Sequence, residues 1–221
     1  MKKTKIKSFD ELNILFGKYD RGSFLRGVSN HAHKLIPAIS RRNLDENILK
    51  KNEENLMLLF KSLAKTYIKF TPKSEIEWLM MAQHHGLPTR LLDWTLNPLV
   101  ATFFSVNKDK DKDKDGALYV YPSGIRVVFP DSMNVEKLNK VEFIFPTYDT
   151  KRIIAQSGTF SIHPLQNLEL KNKNIEMIII PKSLKRNFME RLQKYGVHYA
   201  SLFPDLDGVS NHIKWLRGYD F

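Results

Sequence analysis

Apolar residues recur at helical spacing through much of the first half of the chain and in short, closely spaced runs through the second. Residues 8–16 carry a helix-start signal, with Ser8 as N-cap, Glu11 three residues on, and then Leu12, Leu15 and Phe16. Gly17 and Gly22 bracket a turn, after which residues 23–28 read as a short strand interrupted by Arg26. Ile48, Leu49, Leu56, Leu59, Phe60, Leu63 and Tyr67 predict a long amphipathic helix over residues 45–69, ended by Pro72. Residues 74–86 predict a second, with Ser74 capping it, Glu75 and Glu77 in its first turn and Gly86 as its stop. Residues 89–95 read as a strand and turn, and Asn97-Pro98 opens a third helix over residues 99–106.

From there the pattern changes period. Residues 107–116 (NKDKDKDKDG) alternate charges and read as a solvated loop. Their spaced acids resemble a calcium loop only superficially, since the central Gly and the bidentate Glu of an EF-hand are missing. Strands are predicted over residues 117–121, 125–129, 141–145, 158–163 and 176–180, the last continuously apolar and therefore read as central. A helix over residues 183–195 ends at Gly196, and a short one over residues 210–217 closes the chain. Helices first and strands afterwards predict an α+β fold, with helices gathered on one side of a mostly antiparallel sheet.

Composition narrows the class. With 221 residues, 42% hydrophobic and 27% charged, the chain suits one globular domain spanning residues 1–221. Cysteine is absent, which removes disulfides, thiolate nucleophiles and cysteine-ligated metals. The apolar runs are too short to span a bilayer, and the basic N-terminus lacks the apolar stretch of a signal peptide, so an intracellular, cytoplasmic protein is expected. The net charge of +11 is unevenly spread. Residues 1–73 carry 16 Lys and Arg against 7 Asp and Glu, residues 74–150 carry 8 against 11, and residues 151–221 carry 11 against 6. A field of that sign concentrates polyanions such as nucleic acid, although lysine-rich composition has the same effect without a function.

The chemistry concentrates in residues 83–95, QHHGLPTRLLDWT. Two His, a Gln, an Arg, an Asp and two Thr surround a Gly-Leu-Pro turn and alternate with bulky apolar residues, so burying the leucines carries some polar groups inward, where they need partners. Arg90 and Asp93 are candidates for one another, and Arg26 for either. A structural ion pair is the plain alternative to a site, His84 and His85 can simply complement a helix C-terminus, and Trp78 and Trp94 suit a core better than a stacking platform.

The segments FLRGVSN, LIPAISRR, QHHGLPTRLLDWTLNPLVATFF, RIIAQSGTFSIH and SLFPDLDGVS together resemble the FRG domain of bacteria and their phages, over residues 23–210. The naming triplet is Leu25-Arg26-Gly27 here, and Val28 stands where a Gln is common. The order of an Arg-Gly strand, a strand ending in Asp93-Trp94-Thr95 before a helix, and a third polar strand from Gln156 to Phe160 also resembles the three-part NAD site of ADP-ribosyltransferases. That resemblance implies an ADP-ribosyltransferase-like fold and a role as a toxin or anti-phage defence effector. It makes Asp93, His84 and Gln156 the catalytic candidates and Arg26, Gly27, Arg90 and Thr95 the residues that bind NAD, which is consumed as substrate without a metal. RNA or DNA is the expected acceptor, and an antitoxin or regulatory protein a possible partner, with no membrane involved. Gln156 stands where many such enzymes have Glu. The competing readings are a non-catalytic nucleotide- or nucleic-acid-binding module and, ranked below it, a hydrolase using His84 and Asp93.

Overall fold

The computed structural model describes residues 1–42, 44–68, 71–122, 127–128, 133–146, 150–165 and 169–219, with Asp109 described by its backbone. In chain order the elements are β1 (Lys2–Lys5), α1 (Phe9–Phe16), β2 (Phe24–Val28), α2 (Glu46–Ala64), α3 (Glu75–His84), β3 (Leu91–Thr95) and α4 (Pro98–Val106). They continue with β4 (Gly116–Tyr121), β5 (Val127–Val128), β6 (Glu142–Ile144), α5 (Lys151–Ala155), β7 (Gly158–Ile162), β8 (Glu176–Ile180), α6 (Lys185–Lys194), α7 (Tyr199–Leu202) and α8 (Leu206–Arg217). The class is α+β. Eight strands form one sheet in the order β1-β8-β4-β2-β3-β7-β6-β5. β1–β8 and β5–β6 are parallel and the remaining neighbours antiparallel.

Local signals set the helix starts. Ser8 accepts from the Glu11 amide, Ser74 from Glu77, Asn97 from Leu99 and Val100, and Asp205 from Gly208. Each satisfies an amide that the first helical turn leaves without a partner. The expected strand over residues 125–129 is described only at Val127–Val128, and the end of the expected helix over residues 45–69 also falls partly outside the described residues.

Three expectations change. β8 is not central: it lies one strand in from the edge, because Lys2–Lys5 pairs alongside it in parallel. That edge strand, KKTK, has no apolar alternation to announce it and is held by backbone pairing, its lysines suiting an exposed edge. The second change concerns α2, whose inward face is Leu49, Glu53 and Met57, while Ile48, Leu59, Leu63 and Tyr67 are exposed. The third concerns residues 107–116, which are anchored through Asp111 and Asp115 and are not simply a solvated loop.

Alternation along the strands sends side chains to two faces. Leu25, Leu118, Val120, Ile178 and Ile180 pack under α1, α4 and α6. On the same face, Leu91, Ile144, Phe160 and Ile162 pack under α2, α3 and α5. The other face is continuous across Phe24, Trp94, Tyr119 and Phe143 and is closed by loop residues Leu35 and Ile175. The helix-covered core is thus in two parts, and the line between them runs along β2 and β3.

Candidate functional site

At that line the sheet opens. β2 and β3 share one register pair, Leu25 with Thr95, whereas β2 pairs with β4 along its whole length and β3 with β7. Beyond the pair the strands diverge, and the Asp93 carbonyl, lacking a backbone donor from β2, accepts from Arg26 Nη1 at 2.5 Å. The same nitrogen lies 3.6 Å from Asp93 Oδ2. The Arg26 side chain is 15% exposed and that of Asp93 64%, so the arginine is nearly enclosed while its carboxylate looks outward. Arg26 Nε is buried with no partner among the described residues. Desolvation is the main cause lowering the Arg26 pKa, with Asp93 opposing it and Arg41 adding to it.

Gly27 makes room for the helix above. A Cβ there would stand 1.9 Å from the Ala101 carbonyl, so α4 can lie on β2 only because position 27 has no side chain. That close approach brings the start of α4 and the end of β3 up to the gap.

The turn between α3 and β3 positions the second group of residues. Gly86 adopts φ 89°, a left-handed conformation that ends α3 and allows the Leu87 amide to reach the Ala82 carbonyl at 2.9 Å. On the last turn of α3, Gln83 donates from Nε2 to Asp93 Oδ1 at 2.8 Å and accepts from the hydroxyl of the fully buried Thr89. Asp93 is therefore held by Arg26 from one side and by the Thr89–Gln83 chain from the other. His84 is half-buried beside it. Desolvation, followed by the positive charges of Arg152 and His85, pushes its pKa below the ordinary 6.5 and favours neutral imidazole. His85 is exposed as the C-cap of α3.

These groups line a cleft of about 690 Å³. Among the described residues its polar walls carry Arg26, Lys34, Arg41, Lys108, Lys110 and Arg152 against a single carboxylate, Asp93. Phe104 and Phe203, both partly exposed, supply flat apolar surface, and the Arg152 guanidinium lies 4.7 Å from the centre of the Phe203 ring.

Of the residues singled out from sequence, Arg26, Gly27, His84, Asp93, Thr95 and Gln156 come together in this cleft. Arg90 does not. Its Nε donates to Glu53 Oε1 at 2.9 Å and Oε2 at 2.8 Å, Nη2 also meets Oε2, and Nη1 reaches the Val135 carbonyl at 3.2 Å. Both side chains are about nine-tenths buried, so the expected pairing of Arg90 with Asp93 is replaced by a bidentate bond to α2. This also explains the turned face of α2: Glu53 must point inward to neutralise Arg90.

Thr95 and Gln156 have committed polar groups. The Thr95 hydroxyl donates to the Gln156 carbonyl at 2.7 Å and accepts from the Asn97 amide at 3.0 Å. The Gln156 amide group donates to the Leu202 carbonyl at 3.0 Å, and the residue caps α5 two residues before β7 instead of lying on the strand. Next to it Ser157 has φ 45°, an uncommon backbone for a residue with a side chain, and its carbonyl accepts from the Leu96 amide at 3.1 Å.

Sequence reasoning missed Lys108 and Lys110, which sit in what reads as a solvated charge run, and Arg152 and Phe203, which stand far from the central block. Arg41 and Gln83 stand in the quoted segments without a role of their own. No grouping of three or more His, Asp or Glu suited to a metal occurs among the described residues, and no helix among them is long and apolar enough to cross a membrane.

Comparison with protein families matches residues 21–114 to the FRG domain. The match covers Arg26, Gly27, His84, Arg90, Asp93 and Thr95 and stops before Gln156. No curated protein and no solved structure matches the chain.

Proposed function

With an FRG domain over residues 21–114 as the premise, we propose that the cleft takes NAD as substrate and that the chain transfers its ADP-ribosyl group to an acceptor. The observation that carries this reading is the charge of the lining: among the described residues, six Lys or Arg side chains against one carboxylate, with the rings of Phe104 and Phe203 among them. Such a surface selects an anion that also has flat apolar faces, which describes a dinucleotide. Arg26 meets the pyrophosphate. Arg90 is spent on Glu53 and contributes to the frame, as do Gly27 and Thr95.

Among the described lining residues, Asp93 is the carboxylate that opposes the positive charge developing on the ribose as its bond to nicotinamide lengthens. That carbon–nitrogen bond breaks with its electron pair going to nicotinamide. The acceptor's oxygen or nitrogen bonds to the same ribose carbon, and its proton passes to the neutral imidazole of His84. The step as written uses no metal. The basic rim suits RNA or DNA as acceptor, and a chain that modifies such targets in the cytoplasm fits a toxin or anti-phage effector restrained by an antitoxin or regulatory protein.

The second reading is a non-catalytic nucleotide- or nucleic-acid-binding module. The commitment of the Gln156 amide to the Leu202 carbonyl favours it, because the third element then supplies no catalytic group. Incubation with labelled NAD and separate protein, RNA and DNA pools distinguishes the two. Label entering one pool, lost in Arg26→Ala and in Asp93→Asn, is the expected result. The absence of both transfer and free nicotinamide, from protein that is folded by circular dichroism, would leave the binding module in its place.

A further inference from the structure

The alternating run of residues 107–116 divides its charges by depth. The Asp111 carboxylate accepts from the Ser29 hydroxyl. Lys185, only 5% exposed, donates from Nζ to the Ser29 carbonyl at 2.7 Å and to the Asp111 carbonyl at 2.8 Å. Asp115 accepts from Lys5 Nζ at 2.9 Å and from the Lys182 amide at 2.9 Å, and its carbonyl accepts from the His31 amide at 2.8 Å. Asp111 and Asp115 thus fasten the run to the body of the protein. Lys108 and Lys110, which alternate with the acids, are left on the wall of the cleft, while Lys112 and Lys114 are exposed outside it.

Lys108 and Lys110 line the same cleft as Arg41, Arg26 and His33 and lie close enough to interact with them electrostatically. None of Arg41, Lys108 or Lys110 has an ion pair among the described residues. Among the described residues, the Asp111 carboxylate accepts from Ser29, and that of Asp93 is shared with Gln83 and Arg26. The repulsion is felt. Lys108 is lowered by desolvation first and then by Lys110, Arg26 and Arg41, with Asp111 opposing. His33 is lowered by desolvation and by Arg41, Lys108 and Lys110, again against Asp111. A fastened loop that holds more cations together than the described carboxylates balance pays an electrostatic cost that a bound anion removes.

We propose that Lys108, Lys110 and Arg41, with Arg26 at the floor, form a phosphate-binding subsite that takes a pyrophosphate or phosphodiester group. The inference goes beyond the transferase reading in naming a subsite outside the central block, and it does not require that any bond in the ligand be broken. The chemistry is shared by a dinucleotide and by a nucleic-acid backbone, and the experiment separates the two.

Inorganic pyrophosphate is the first probe, titrated by calorimetry at constant ionic strength into the intact chain. Lys108→Gln with Lys110→Gln should weaken binding at least tenfold. Lys112→Gln with Lys114→Gln, which makes the same change of charge in the same loop, should stay within twofold. Both pairs lie on the surface and leave the Asp111 and Asp115 anchors intact. Displacement of pyrophosphate by NAD assigns the subsite to a dinucleotide, and displacement only by a single-stranded oligonucleotide assigns it to a strand. Equal losses in the two pairs, or no binding of pyrophosphate at millimolar concentration, would overturn the proposal. Its fate is separable from that of the transferase. Pyrophosphate binding that depends on Lys108 and Lys110 in a chain that leaves NAD intact retains the subsite alone. NAD cleavage in a Lys108→Gln, Lys110→Gln variant with unchanged pyrophosphate affinity retains the transferase alone.

Discussion

His84 and Asp93 illustrate how neighbours set the chemistry of a residue. Asp93 is largely exposed, yet two hydrogen-bonded contacts fix its carboxylate and backbone, from Gln83 and from Arg26. A carboxylate held in this way keeps its orientation while its charge stays open to a ligand, which is what stabilisation of a developing cation requires. His84 is shifted toward the neutral form by burial and by Arg152. The sign follows directly. Neutral imidazole accepts the acceptor's proton, so turnover should be level at and above the ordinary histidine range and should fall as pH drops through the lowered pKa. A pH–rate profile of NAD turnover checks this. His84→Gln should remove the acid-side limb and slow turnover by about 10²–10⁴-fold, the usual contribution of a positioned base. An unchanged profile in that variant would assign the proton to another group.

Among the elements, α2 carries the clearest conflict between pattern and packing. Its apolar residues recur at helical spacing, yet the face it buries holds Glu53, and several of its leucines remain in water. The ion pair with Arg90 decides the rotation, because an unpaired guanidinium beneath the helix would cost more than the exposure of those leucines recovers. Arg90→Met should therefore destabilise the fold by about 3–5 kcal/mol, through the carboxylate it leaves buried and unpaired. Adding Glu53→Leu should restore most of that loss. Urea unfolding of the two single variants and the double variant measures the effect. An additive result would mean that the two side chains are not energetically coupled. The recovery of the double variant would also distinguish a structural Arg90 from a ligand-binding one, since ligand affinity should be unaffected once folding is restored.

On the scale of the whole molecule, the gap between β2 and β3 organises the protein. The helix-side core is divided there, and the opposite face, through Phe24, Trp94, Tyr119 and Phe143, spans the division. A ligand in the cleft touches both halves: Arg26 and Lys108 from one, Asp93 and Arg152 from the other. It should therefore stabilise the molecule as a unit. At a concentration 100 times its Kd, a ligand that binds only the folded state adds about 2.7 kcal/mol. For a chain of this size that is a rise in Tm of roughly 5–11 °C. Thermal unfolding with pyrophosphate or NAD measures the rise, and amide exchange should slow in both β2 and β3. Protection confined to one half would place the ligand on a single wall.

What the sequence determined by itself is mainly local. Caps at Ser8, Ser74 and Asn97, the stop at Gly86 and the apolar run of β8 act within a few residues, so they can be read without knowing the fold. The central block likewise brought Arg26, Asp93 and His84 forward, because so many polar groups among leucines need partners. Tertiary structure decided the rest. Only it pairs Arg90 with Glu53, 37 residues away, and ties the Gln156 amide to Leu202. Only it adds Lys2–Lys5 to β8, since backbone hydrogen bonds along an edge need no side-chain pattern. The same holds for the charge run, where alternating Lys and Asp look identical along the chain. Contacts with Ser29, Lys185, Lys5 and Lys182 choose which aspartates turn inward, and that choice turns two of the four lysines toward the cleft.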